Sequence, residues 1–481
     1  MLKIEELEYN LLNEDEPFDP AKWLNSQGVE TTQQTLNLSK KRNFKDLCRI
    51  VKNDLDKKIE DSNDKEQEEW LSRQHNAIIG NQASMQYFVN QIESVLRDRN
   101  ISSSDYPYYY SSLAEAIFHE VWGRSILQKW YHYPDSEAAV ITGTELWIDR
   151  DGDFVKQAEP FENEEKVREI IRAFTMRDEN AILNAQNPEL ELESEDGSRI
   201  TLIVKPRGKE NYIIFRRFIV KNFSLEKQAS YGTITDEDIP IFRALARVMP
   251  NTVIAGRVRS AKSTFMKTLI GERRSDYVIG CLEKHFELAL KRHFLNRLIF
   301  EIQSAEGDLH KVMPRMLRME HDYLVIGECR SLEWESAIQA CERGERGMIT
   351  TYHLTDRHAI VPQITRHLLD EYPSRRFENE VERVARNVDI VITMSTSRDR
   401  RRKQVVGVTE VIWDDKERIY KSQDLIVFDK LEKVYKYSSN ISSRLYRLMV
   451  EEDEEQAKIL LDSLRKREKF SPLNKELLEH V

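Results

Sequence analysis

Two textures alternate along this chain. From residue 252, short apolar runs take turns with stretches of helical period. NTVIAG is followed by STFMKTLIGE, YVIGCL and RLIFEI by DLHKVMPRMLRME, DYLVIGE by SLEWESAIQACE, and GMITTYH by HAIVPQITRHLLDE. Apolar runs flanked by helices predict a largely parallel sheet covered on both faces. DIVITMS, VVGVTEVIW and DLIVF complete it, and Pro314 is expected to break or kink its helix. Upstream the pattern changes. DYPYYYSSLAEAIFHEVWGRSILQKWY (105–131) is aromatic with helical period, and AAVITGTELWIDRDGDFV (138–155) reads as two short strands about a turn. An amphipathic helix (162–177), a hairpin about Asp196-Gly197 (190–206) and a further strand (210–219) follow, which makes an α+β unit. QASYGTITDED (228–238) reads as a linker and IPIFRALARVMP (239–250) as a helix. Both flanks are helical and highly charged: KNDLDKKIEDSNDKEQEEW (52–70) predicts a solvated helix or linker, and EEDEEQAKILLDSLRKRE an exposed amphipathic tail. The expected organisation is a charged helical extension (1–100), an α+β domain (101–230), an α/β domain (237–430) and a helical C-terminal tail (431–481).

Composition narrows the function classes. The 481 residues carry 73 basic and 83 acidic side chains, a net charge of −10, which argues against a general nucleic-acid binder. No apolar run reaches bilayer length and MLKIEELEYN has no signal-peptide pattern, so a cytosolic protein is expected, with any membrane link made through partners. Cys48, Cys281, Cys329 and Cys341 have no metal-ligand spacing and read as reduced structural thiols. The run RDRRRK (398–403) reads as a solvated hairpin tip, with contact to DNA or acidic lipid as the alternative.

The candidate chemistry starts at GRVRSAKST (256–264). A phosphate-binding loop G-x-x-x-x-G-K-[ST] needs a strand before it and a helix after it. Backbone N–H groups and the helix N-terminus then face the phosphates, the lysine reaches the outer ones, and the following hydroxyl ligates Mg²⁺. Gly256, Arg257, Val258, Arg259, Ser260, Ala261, Lys262, Ser263 and Thr264 are therefore the candidate nucleotide-binding residues. Ala261 stands where the pattern wants glycine. In a left-handed conformation its Cβ costs about 1–2 kcal/mol, or about tenfold in affinity if binding bears the cost. Arg257 and Arg259 either hold phosphate or face solvent. Downstream, DYLVIGECR (322–330) is an apolar strand ending in Glu328, where a carboxylate can orient Mg²⁺ or the attacking water.

Taken together, these motifs resemble the type II/IV secretion-system ATPases, above all the Tad-pilus, CpaF-like branch and its conjugation relatives. DYLVIGECR matches their Walker B segment at Asp322, Gly327, Glu328 and Arg330, continued by Glu333. RGERGMITTYH (343–353) matches their histidine box at Gly344, Gly347, Thr351 and His353, and LEKHFEL (282–288) their acidic box at Glu283, Glu287 and Leu288. NRLIFE places Arg297 on the arginine-bearing strand. EDGSRITLIV and IIFRRF resemble N-domain segments whose arginines lie near nucleotide, which points to Arg199, Arg216 and Arg217. The resemblance covers about residues 105–430. It implies a RecA-like P-loop NTPase domain preceded by a smaller α+β domain, with helical extensions at both ends. ATP would sit between the domains with Mg²⁺ on Ser263 and Glu328. Catalytic roles would fall to Glu328, Glu283, His353, Arg216, Arg217 and Arg297. A homo-hexameric ring on the cytoplasmic face of the membrane, docked on an inner-membrane platform protein, is implied too. Ala261, Lys284 and Glu345 depart from the family pattern (as does Arg343) and motivate the alternative of a weak or inactive scaffold. A DNA-pumping motor is the third reading.

Overall fold

The computed structural model describes residues 30–175, 182–193, 198–217, 223–284, 286–304, 309–344, 346–354, 356–397 and 402–473. Glu345, the Asp196-Gly197 turn, residues 398–401 of the basic run and the first 29 residues lie outside them.

The N-terminal sheet holds β1 (Ala138–Thr142), β2 (Glu145–Arg150), β3 (Asp153–Lys156), β4 (Glu189–Glu193), β5 (Arg199–Ile203) and β6 (Tyr212–Arg216) in the order β3-β2-β1-β6-β5-β4, antiparallel throughout. The segment 138–155, expected as two strands, makes three. Helix Glu164–Thr175 turns Val167, Ile170, Ile171 and Phe174 onto one face of the sheet, against Ile141, Ile148, Leu202 and Phe215. Upstream, helices Glu30–Glu60, Asp64–Ile79 and Gln82–Asp98 are not a free extension. Val51, Leu55, Trp70, Phe88 and Ile92 share one core with Ile117 and Phe118 of helix Leu113–Val121. The expected boundary at residue 100 therefore runs through a packed core.

The second sheet has nine strands. They are β7 (Thr252–Gly256), β8 (Ile279–Glu283), β9 (Ile299–Gln303), β10 (Tyr323–Ile326), β11 (Ile349–Tyr352), β12 (Ile390–Thr396), β13 (Lys403–Asp414), β14 (Ile419–Asp429) and β15 (Val434–Tyr437). The order is β15-β14-β13-β12-β7-β11-β10-β8-β9. From β12 to β9 every pairing is parallel, and β12 to β15 are antiparallel. The chain leaves β7 toward β8 on one side, while β12 lies on the other. The carboxyl end of β7 is thus a topological switch point, where open α/β sheets place ligands. The helix Leu309–Met316 contains Pro314 and ends two residues beyond it.

Two expectations are corrected here. The presumed linker folds as helix Leu225–Ser230 and a turn at Asp236–Asp238, and Asp238 is buried, accepting from Tyr437 Oη (2.9 Å) and Arg467 Nε (3.1 Å). The presumed tail supplies β15 and helices Ser443–Glu452 and Glu454–Phe470. Its Leu445, Met449, Ala457, Leu460 and Leu464 join the core of Ile241, Phe242 and Phe265. An amphipathic stripe on a charged helix buries as readily as it floats, so charge alone misreads it. Helix Phe377–Asn387, unassigned from the sequence, packs Val384 and Ala385 into the second core of this domain.

Candidate nucleotide site

Strand β7 is buried at every residue and ends at Gly256, where a Cβ would meet Met394 O at 2.4 Å, so only glycine fits. The loop then passes through two left-handed non-glycine residues, Arg259 (φ +63°) and Ala261 (φ +64°, ψ +28°), each at a cost of about 1–2 kcal/mol. Ala261 caps helix Lys262–Glu272 and no side chain closes its first turn, so the helix N-terminus is free to meet an anion. Inside the loop, buried Ser260 donates its hydroxyl to Arg257 O (2.8 Å), and Lys262 Nζ donates to the same carbonyl at 3.1 Å. Lys262 folds over its own loop with only 8% of its surface exposed. Burial pushes its ammonium down to about 8, against the upward pull of Glu328. Arg257 and Val258 are exposed.

Three parallel strands deliver the facing groups. β10 ends one residue before Gly327, and Glu328 follows. Its Oε2 accepts from Arg330 (2.9 Å) and its Oε1 lies 2.7 Å from His353 Nε2. His353 stands just past β11, and its Nδ1 lies 3.5 Å from Lys262 Nζ. The Nδ1 side of the ring faces the Lys262 ammonium and the Nε2 side faces Glu328. Burial, then Lys262, holds the His353 pKa below its usual value, which keeps the ring neutral. Lysine, imidazole and carboxylate thus form one chain across the mouth of the loop. Thr351 Oγ1 ties β11 to Gly327 O (2.8 Å). β8 ends at Glu283, buried against Gly327, where any Cβ would come within 3.0 Å of Glu283 Cγ. Glu283 accepts from Leu288 N (2.9 Å), and burial pushes its carboxyl up to about 8.

A cleft of ≈ 600 Å³ opens here between the domains. Glu191, Arg199 and Thr201 line it from the N-terminal sheet, Ser263, Glu283, Glu328 and Thr351 from the other side. Arg199 spans it, paired with Glu191 and with Glu287 of the acidic box. Arg216 is half-buried beside Arg259 and Arg199, its pKa lowered by burial and then by those two charges.

The structure does not bring two of the sequence candidates to the cleft. Arg217 folds back onto its own domain, donating to Ser136 O (2.8 Å) and Tyr133 O and lying over the Trp130 ring. Arg297 donates to the carbonyls of Ile270, Gly271 and Arg273, closing the far end of the helix that the phosphate loop opens. Motif spacing placed Arg217 beside β6 and Arg297 beside β9 but could not tell which way they point. Arg330 and Glu287 were visible as motif matches without a role, and here both are charge partners in the cleft. Asp322 lies at the opposite end of β10, accepting from Val278 N.

Strand, phosphate loop and helix at the switch point of a parallel sheet, with an acidic strand end opposite, define a P-loop nucleotide-binding domain behind an α+β domain. Residues 144–367 match the profile described as type II/IV secretion system protein. An uncharacterised protein of Methanocaldococcus jannaschii is 24% identical over 185 residues, covering 37% of this chain and 33% of its own length. A putative conjugal transfer protein of Mycobacterium tuberculosis is 28% identical over 105 residues, covering 21% of this chain and 30% of that protein. The chain thus spans about a third of the length of the curated relatives it matches. The crystal structure of the pilus retraction motor PilT with bound ADP aligns at 14% identity with a TM-score of 0.44, covering 73% of this chain and 94% of that one. A score of that size adds nothing to the topology read directly from the sheet. Among the described residues, no helix is long and apolar enough to cross a membrane.

Proposed function

We propose that this chain is an ATP-hydrolysing motor subunit of a secretion, pilus-assembly or conjugation machine, CpaF-like in its motifs. It works as a homo-hexameric ring held to the cytoplasmic membrane face by an inner-membrane partner. The observation that carries the reading is the Lys262–His353–Glu328 chain over a formed phosphate loop. Lys262 would meet the outer phosphates, with His353 reporting the occupancy of that position to Glu328. Among the described residues no three His, Cys, Asp or Glu side chains form a metal cage. Ser263 and Glu328 would hold a magnesium ion brought in with the phosphates, and such an ion supplies Lewis-acid stabilisation of phosphoryl charge. Arg199 and Arg216 of the N-terminal domain would close over the nucleotide.

A second reading, a weak or inactive ring component, is favoured by one observation. Glu283, with a pKa of about 8, is mostly protonated at neutral pH and is a poor base there. One experiment separates the two: Mg²⁺-ATP hydrolysis by the assembled protein beside Lys262→Ala and Glu328→Gln. The motor reading expects each variant to lose roughly 10²–10³-fold in kcat. Wild type no faster than the variants at saturating ATP leaves the scaffold.

A further inference from the structure

Arg259 has no part in the reading above. It is half-buried while its neighbours Arg257 and Val258 are exposed, and its side chain leaves the phosphate loop for the other domain. The guanidinium carbon lies 5.0 Å from the centroid of the Phe154 ring, within cation–π reach. Phe154 of β3 stands directly opposite Asp149 of β2 in the antiparallel register, so ring and carboxylate share one face of the hairpin. Asp149 is 3% exposed and its Oδ1 has no hydrogen-bond partner. Burial raises its pKa, and Arg259 is the first of the groups that pull it back down. A ring beside a buried carboxylate with one oxygen unpartnered makes a receptor for a guanidinium.

The backbone gives the contact a purpose. Two left-handed non-glycine residues within three positions, Arg259 and Ala261, form a loop that relaxes unless something outside it holds it. Glycine at 259 would remove the strain but could not reach the hairpin. We propose that Arg259 is a positioning residue: it anchors the phosphate loop to the Asp149–Phe154 pair of the N-terminal domain, so that the loop keeps its nucleotide-binding shape only while that domain is docked. The inference rests on the nucleotide reading above and adds to it the contact through which domain position reaches the phosphates.

The test is a double-mutant cycle on the full chain: wild type, Asp149→Asn with Phe154→Leu, Arg259→Gly, and all three together. Amide hydrogen exchange over residues 256–264, without nucleotide, reads the anchor. The affinity for N-methylanthraniloyl-ADP reads its consequence. We expect the hairpin pair of substitutions to speed exchange and weaken ADP binding, each roughly tenfold, and to do neither once Arg259 is glycine. Arg259→Lys, which keeps the charge, should retain part of both. Equal effects in the two backgrounds overturn the proposal. So does faster exchange with unchanged ADP affinity, which would make the contact merely structural. If wild type binds no nucleotide analogue the ATPase reading falls, and the nucleotide-free exchange cycle decides the anchor by itself.

Discussion

Two sets of buried charges in the P-loop domain are handled in opposite ways. Glu335 is 5% exposed on helix Glu333–Glu342, and four guanidinium N–H groups reach it, from Arg375 (2.6 and 3.1 Å) and Arg383 (2.8 and 3.1 Å). Asp424, 1% exposed, accepts from Arg357 at 2.8 and 2.6 Å and from Thr409. Burial raises both pKa values, yet the arginine pairs win: Glu335 falls to about 2 and Asp424 falls further below its usual range. Lys262 and Glu283 are as deeply buried but thinly partnered. Lys262 has one carbonyl and a distant imidazole, Glu283 a backbone N–H and a thiol at 3.7 Å. Burial wins there, and both are drawn to about 8. Fully paired charges are driven away from neutrality and hold the architecture. Under-paired ones sit where a proton or a phosphate changes them at small cost, which marks the site.

The largest break in this contrast should come at Glu335. Glu335→Ala removes the carboxylate that two arginines share, leaving Arg383 on Glu342 and both arginines on Glu380, and should cost about 3 kcal/mol, read as a fall in the urea midpoint. Lys262→Met removes an equally buried charge that was barely partnered. It should shift the same midpoint by less than about 1 kcal/mol while abolishing hydrolysis. Equal losses in the two variants would mean that pairing does not distinguish the sets.

Acid sharpens the same contrast. The folded pKa of Glu335 is depressed, so its stabilisation is complete above the ordinary value of 4.5 and is lost as pH falls toward 2. The loss is about 3 kcal/mol over that window, and Asp424 adds to it in the same direction. Glu335→Gln should therefore show a flatter stability profile between pH 4.5 and 2 than wild type. Parallel profiles would show that the arginine pairs leave no mark on stability.

Much of this was legible in the sequence where the signal is local. The phosphate loop, Glu328 and His353 are each coded by a strand end within a few residues, and the fold brings all three together. What was missed depends on direction and on distance. Arg217 lies just past the end of β6 and Arg297 just before the start of β9, and both point elsewhere, because a motif fixes a stretch of chain and not the direction a long side chain takes. The helix ending in Phe470 looked like a tail because its core contacts are only Ala457, Leu460 and Leu464 among many charges. Asp149 lies 110 residues before Arg259, and no spacing rule connects a hairpin carboxylate to a loop arginine.

The smallest effect concerns Ala261, and it separates two ways of charging the same strain. From the sequence, a Cβ at a left-handed position weakens nucleotide binding about tenfold, provided the loop turns left-handed only on binding. The ligand-free chain already holds Ala261 at φ +64°. The strain is then present before any nucleotide arrives, and it falls on folding rather than on binding. Ala261→Gly should raise stability by about 1 kcal/mol, seen as a small rise in Tm, and change the affinity for ADP by less than about twofold. A tenfold gain in affinity with unchanged Tm would show that the free loop rests in another conformation. The phosphate site would then be one that nucleotide must shape, and the contrast with the rigid Glu335 network would widen from charge pairing to backbone order.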